Sequence, residues 1–309
     1  MYYFYNFTKI IKYIGIIGLI LTAFSDLLVF KLLCFFGLFV FIEIAISYST
    51  FKCIILQIVG IFYVKNKYGE EVPSVSNYTS NIEYSLPFDE KWTVINGCFT
   101  EKYSHSWDVP TQRYAYDFII LDDERKSYRG DSKNCENYYC YDKNILSPAD
   151  GIVVELNNGS NDSLIYPKGK FFSRANHIAG NYIIIKHNEQ EFSFLAHLKK
   201  DSISVKVGDT VCRGDIIAKC GNTGNSSEPH LHFQIQNGQS FYKSVGLPIK
   251  FSNIEIDKID NYEKIDTRPH MKEDEIVEGY ITRGYRVSNK VNITTYTKKV
   301  RTQEFVNVF

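Results

Sequence analysis

The chain has no excess charge of either sign. Its 309 residues carry 35 lysines and arginines against 35 aspartates and glutamates, which removes the electrostatic case for a nucleic-acid partner. Among its seven cysteines no Cys-x-x-Cys pair occurs, so a structural zinc knuckle is not expected. Cys34 and Cys53 lie in an apolar block, where a reduced thiol behaves as a small hydrophobe. Cys98, Cys135, Cys140, Cys212 and Cys220 follow it, and "CENYYC" at 135–140 is open between a small disulfide loop and two free thiols. Long helical patterns are missing between Leu86 and Ile249. With charge and cysteine pattern uninformative, function has to be argued from the distribution of apolar residues and from sites.

Apolar residues crowd the N-terminal side. From Ile10 to Val64 the chain is almost wholly hydrophobic, interrupted by Lys12, Asp26, Lys31, Glu43, Lys52 and a few neutral polar residues. A signal peptide has a short apolar core and a small-residue cleavage site, whereas this block runs for 55 residues. At about 20 residues per crossing that is enough for two helical spans, or three with minimal turns. The expected pieces are Ile10–Phe30, Leu32–Tyr48 and Phe51–Val64. Lys9 and Lys12 favour a cytoplasmic N-terminus by the positive-inside rule. If the remainder is exported, that orientation requires an odd number of crossings, one or three, of which three fits the length better; Lys31 would then face outward against the rule, and two crossings with both termini outside is the alternative.

Composition changes abruptly after Val64. Residues 1–65 are read as membrane-spanning helices, 66–85 as a polar juxtamembrane linker, 86–250 as a folded domain and 251–309 as a C-terminal extension. The folded domain shows short runs with period-two alternation: "YAYDFIIL", "GIVVEL", "NYIIIKH", "EFSFLAHL" and "HLHFQIQ". Bounded by Gly, Asn, Asp and Pro, these are strands. The fold class expected is mainly β, a glycine-rich antiparallel sheet preceded by an α-helical transmembrane region. Alternation in "YITRGYRV" and "VNITTYTKKV" points to further strands in the extension.

The stretch "GNTGNSSEPHLHFQIQNG" at 221–238 places His230 and His232 two positions apart in one such strand. Alternation sends both to one face and Leu231 to the other. Taken alone, the pair is open between a solvent-facing strand surface and a metal or catalytic site. By the same alternation His197 shares a face with Leu195 and Ser193.

The glycine-punctuated stretches "SPADGIVVEL" and "VKVGDTVCRGDIIAKCGNTG" resemble two families. Biotinyl and lipoyl carriers need an exposed lysine at a hairpin tip, commonly beside a methionine or in an acidic turn. Here Met1 and Met271 lie far from these turns and Lys219 sits mid-strand. The second resemblance is far more detailed. "YAYDF" at 114–118, "SPADGIV" at 147–153, "GNYIIIKH" at 180–187, "FLAHL" at 194–198, "VKVGDTV" with "GNTG", and "PHLHFQI" at 229–235 resemble, in order, the blocks of the lysostaphin-type, or LytM-like, zinc endopeptidases of bacterial cell walls.

That resemblance implies a site. Its zinc ligands would be His105, Asp117 and His232, leaving a fourth position open for water; His197 and His230 would be the catalytic pair, handling the water's proton and the oxyanion or leaving amine. His105 is the only histidine upstream of Asp117, with eleven residues between them. No further cofactor is implied. The expected function is a membrane-anchored zinc metalloendopeptidase hydrolysing peptide bonds of peptidoglycan cross-bridges or stems, located in the cell membrane with its peptidase domain outside the cytoplasm. The alternatives are a catalytically idle wall-binding or scaffold member of the family, and a peptidase acting on proteins. His187 reads as a hairpin-turn residue, and His177 lies in an insert, "NDSLIYPKGKFFSRANHIAG", placed to cover a substrate groove.

Overall fold

The computed structural model of the chain describes residues 2–46, 48–69, 71–166, 170–172 and 177–291. The chain divides into two compact units between Ile55 and Leu56.

The first unit is helical: α1 (Tyr2–Thr22), α2 (Leu28–Cys34) and α3 (Phe39–Ile46), with a 3₁₀ turn at Phe35–Leu38 joining the last two. Two stretches, Tyr3–Thr22 and Leu28–Ala45, are long and apolar enough to cross a membrane, with 17% and 0% of their residues buried. The break falls at Ala23–Leu27, within the first span expected from hydropathy. Lys12 Nζ and Glu43 Oε2, 2.5 Å apart, neutralise each other between α1 and α3.

The third expected span, Phe51–Val64, lies in α4 (Tyr48–Tyr68), which is not among the membrane-crossing candidates of the described residues. From Leu56 onward α4 belongs to the second unit. There Gly60 packs so tightly that an added Cβ would sit 1.9 Å from the Tyr242 carbonyl oxygen. Val64 is buried, and Asn237 Nδ2 donates to the Tyr68 hydroxyl at 2.8 Å. Hydropathy alone cannot tell a helix that packs its apolar stripe on protein from one that meets lipid.

The second unit is mainly β. Its strands are β1 (Trp92–Asn96), β2 (Tyr116–Ile119), β3 (Asn144–Leu146), β4 (Gly151–Asn157), β5 (Leu164–Tyr166), β6 (Lys170–Phe172) and β7 (Tyr182–Lys186). They continue with β8 (Phe192–Ala196), β9 (Thr210–Val211), β10 (Ile216–Lys219), β11 (Leu231–Gln236), β12 (Gly246–Leu247), β13 (Ile254–Lys258) and β14 (Tyr285–Asn289). One ten-stranded antiparallel sheet runs β13-β14-β1-β2-β11-β8-β7-β4-β9, with β12 also on β11. β10 pairs with β3, and β5 with β6.

Alternation sorts this sheet into two faces. Leu195, Leu231, Phe233 and Ile235 point into the main core, while Tyr182, Ile184, Phe194 and Ala196 gather on the opposite face. The extension beyond residue 250 supplies β13 and β14, and β14 pairs with β1. Most of "VNITTYTKKV", from residue 292, lies outside the described residues, as do parts of the 161–180 insert. No disulfide joins any cysteine among the described residues, Cys135 and Cys140 included.

Candidate active site

A single row across the sheet builds the centre of the site. Asp117 on β2 stands opposite His232 on β11, which stands opposite Ala196 on β8. On its other side Asp117 faces Asn96 on β1, brought into register by a β-bulge between Val94 and Asn96. Neighbouring strands lie about 4.8 Å apart, so side chains sharing a row and a face must meet.

They meet at the Asp117 carboxylate. His232 Nδ1 lies 2.9 Å from Oδ1, and Asn96 Nδ2 donates to Oδ2 at 2.8 Å. His105 Nε2 is 3.6 Å from Oδ2, and His230 Nε2 is 3.8 Å from Oδ1. Asp117, His232 and His197 are buried. Burial by itself would raise the Asp117 pKa, yet the His232 hydrogen bond and the charges of His105 and His230 hold it well below the usual carboxylate range.

Three imidazoles are locked by what their second nitrogen touches. His232 Nε2 faces Gln234 Oε1 at 3.1 Å; the Gln234 amide donates to Gln236 Oε1 at 2.8 Å, and Gln236 donates to the Gly238 carbonyl at 2.7 Å. This ladder of alternate residues on one strand face sets an acceptor before Nε2, while Nδ1 faces the Asp117 carboxylate. His197 and His230 have the reverse arrangement. His197 Nδ1 donates to the Thr223 carbonyl at 2.7 Å, and His230 Nδ1 to the Glu228 carbonyl at 2.8 Å. Each leaves Nε2 as its free nitrogen.

His197 reaches the site by a route that alternation does not give. Parity groups it with Leu195 and Ser193, on the core face and away from His232, and that expectation is corrected here. The residue follows the last position of β8 with φ at +61°, a left-handed conformation that is unusual for a residue with a Cβ. The turned backbone brings its ring to 4.6 Å from that of His230 and 5.9 Å from that of His232. Burial, then the charges of His230 and His232, push its pKa well below the ordinary value. The loop supplying Thr223 fits only because two glycines touch: a Cβ on Gly180 would lie 2.4 Å from Gly224 N, and both have positive φ.

The arrangement leaves electrostatic conflicts. Both nitrogens of His232 face acceptors, so a neutral ring satisfies one of them. Burial lowers its pKa, but the contact with Asp117 more than offsets this and raises it. The buried His105 Nδ1 has no hydrogen-bond partner among the described residues, and burial is the main cause of its lowered pKa. A cation between Nδ1 of His232, Nε2 of His105 and the Asp117 carboxylate would resolve the conflict at His232, and an N/O set of this kind suits zinc. No group of three His, Cys, Asp or Glu among the described residues stands at the geometry of a formed metal centre. The fit is one of donor chemistry.

Several residues here were not foreseen from the sequence. Gln234 and Gln236 had a local signal, since they continue the face of His232 at period two. Asn96, Thr223 and Arg268 had none, because their roles come from long-range pairing. Arg268 reaches Asn96 Oδ1 at 2.8 Å and the Ile95 carbonyl at 3.2 Å, while gripping Asp266 through Nε and Nη2. The C-terminal extension therefore orients the amide that holds Asp117. His187 lies elsewhere, on the core side, between the Asp150 carbonyl at 2.7 Å and Ser193 Oγ at 2.9 Å. His270 contributes nothing to the site.

Known proteins are similar to parts of this chain. Residues 138–243 match the model of Peptidase family M23. An uncharacterized metalloprotease of Buchnera aphidicola subsp. Baizongia pistaciae is 35% identical over 159 residues, covering 50% of this chain and 39% of that protein. Peptidoglycan DD-endopeptidase ShyB of Vibrio cholerae is 47% identical over 57 residues, covering 18% of this chain and 13% of that protein. A crystal structure of a zinc-containing peptidase from Vibrio cholerae aligns with a TM-score of 0.34 at 24% identity, over 54% of this chain and 41% of that one. The chain thus spans less than half the length of these curated relatives. The matched residues include His197, His230 and His232, and sheet pairing adds Asp117 and Asn96 from outside them.

Proposed function

The chain carries a peptidase family M23 domain at residues 138–243, and from that premise we propose that it is a membrane-anchored zinc endopeptidase hydrolysing peptide bonds of peptidoglycan. The observation that carries the reading is the convergence of His105, His230 and His232 on the Asp117 carboxylate, with His197 beside them. His105, Asp117 and His232 would hold the ion; when bound, zinc supplies Lewis acidity and a water that is nucleophilic at neutral pH.

The remaining chemistry belongs to the chain. His197 and His230, with Nδ1 committed to backbone carbonyls, would offer Nε2 to the reacting centre. In its neutral form such a nitrogen takes a proton; once protonated it donates to a developing oxyanion or a leaving amine. The Thr223 and Glu228 carbonyls stabilise the ring that becomes charged. Asn96 keeps Oδ2 of Asp117 directed.

The two apolar stretches are read as crossings, since they leave their side chains uncovered by protein. Two crossings put residue 2 and the peptidase domain on the same, outer side. Lys12 argues little against this, because Glu43 neutralises it within the helices.

Purified full-length protein in detergent should clear peptidoglycan in a zymogram, lose that activity to a chelator and regain it with zinc. Chelator-insensitive clearing, or none at all with zinc restored, would overturn the reading. On intact protoplasts, external protease should remove tags at both ends of the chain; a protected C-terminal tag would contradict the outward placement.

A further inference from the structure

The face of the sheet that carries His232 also carries a second site. The row next to the catalytic one runs Gln234, Phe194, Ile184, Glu155 across β11, β8, β7 and β4. There a cleft of about 310 Å³ is lined by Glu155, Tyr182, Phe194, Phe241, Tyr242 and His177, among others. Phe194 is shared between the two sites: its ring lies 6.3 Å from that of His232 and 4.8 Å from that of Phe241. The His177 ring sits 4.9 to 5.3 Å from those of Tyr182, Phe241 and Tyr242.

This wall is aromatic with one carboxylate in it. Glu155 accepts from the Tyr182 hydroxyl at 2.6 Å and from Gln239 Nε2 at 3.0 Å, both neutral donors. None of the described lining residues is lysine or arginine. The adjacent Lys243 places its ammonium over the Tyr63 ring. His177 is no counter-ion either: burial pushes its pKa down to about 4, and its Nδ1 accepts from the Ala179 amide. A carboxylate set in aromatic walls, with no lysine or arginine among the described lining residues, has the chemistry of an ammonium receptor, through charge and through cation–π attraction.

Position connects the cleft to the reaction. Tyr182, on β7, is two strands from His232, on β11, and shares its row through Ala196. That separation is roughly 10 Å at the usual strand spacing, which an extended peptide covers in about three residues. Building on the peptidase reading above, we propose that the Glu155 cleft is a specificity subsite for an ammonium-bearing side chain of the substrate, within about three residues of the scissile bond.

The test uses the full chain loaded with zinc and two synthetic cross-linked peptides that differ only in whether a side-chain amine near the cross-link is free or acetylated. Wild type should cleave the free amine about tenfold faster by kcat/KM, mostly through KM. Glu155→Gln should bring that ratio close to one. Phe241→Leu, which keeps apolar volume and removes the ring, should lower it by about threefold and serves if Glu155→Gln does not fold. Equal cleavage of the two peptides by wild type, or an unchanged ratio in a folded variant, overturns the subsite. If neither peptide is cleaved, the peptidase reading is what fails. The subsite is then decided by NMR titration of the His177 imidazole: a shift with the free amine alone supports it, and no shift, or equal shifts, overturns it.

Discussion

His232 and His177 stand on the same face of one sheet, both enclosed, and they respond to burial in opposite directions. Among the rings of Tyr182, Phe241 and Tyr242, burial lowers the His177 pKa to about 4, and among the described residues only the more remote Glu155 opposes it. His232 suffers desolvation as well, yet it is raised, because the Asp117 carboxylate lies 2.9 Å from its Nδ1. Enclosure therefore does not decide the state of an imidazole; the partner within hydrogen-bond reach does. One environment keeps a ring neutral beside a receptor for cations. The other directs a ring nitrogen at a carboxylate, as a cation site requires.

The severest way to break the comparison is to remove its charged half. His232→Ala should lower zinc affinity by at least about a hundredfold and reduce hydrolysis to background, because two remaining ligands hold the ion poorly. Metal analysis after dialysis checks this, and stoichiometric zinc in the variant would refute the ligand assignment. His197→Ala and His230→Ala should keep most of the metal and lose turnover by about 10²- to 10⁴-fold, the range of general acid–base effects. A variant that loses its metal instead would exchange the roles assigned here.

Asn96→Ala and Arg268→Ala test how far support for Asp117 extends. Each should weaken zinc binding by roughly tenfold to a hundredfold, with Arg268→Ala the milder, since it acts through Asn96. Competition with a chelating dye measures both, and wild-type affinity in Arg268→Ala would mean that the C-terminal extension does not serve the site.

The smallest effect concerns the neutral half. With a folded pKa of about 4 against about 6.5 unfolded, the unfolded chain takes up the His177 proton first. The stability due to this group is then complete above pH 6.5 and declines as pH falls toward 4, by at most about 3 kcal/mol. His177→Phe should flatten the acid side of a Tm-versus-pH curve. An identical slope in wild type and variant would show that His177 titrates near its ordinary value.

Much of this was legible in the sequence because it is local. Alternation identifies β2, β4, β7, β8 and β11 and puts His230 with His232. The apolar block is visible in composition alone. Hydropathy does not show which apolar residues find protein partners: in α4, Val64 is buried while Phe51, Ile54, Val59 and Phe62 are exposed. Alternation fails where the backbone leaves the strand, as at His197 with its positive φ.

What the amino-acid order determined by itself is the set of chemical groups and the face on which each strand presents them, since a period of two needs only near neighbours. Which groups meet was decided by tertiary structure alone. Asn96, Asp117 and His232 come from three strands aligned by a bulge and two pairings. The free nitrogen of each histidine depends on a carbonyl or amide elsewhere in the fold. Arg268 is 172 residues from the asparagine it orients. Such contacts carry no local periodicity, because chain closure over that length is imposed by burial of the whole sheet and not by the residues beside them.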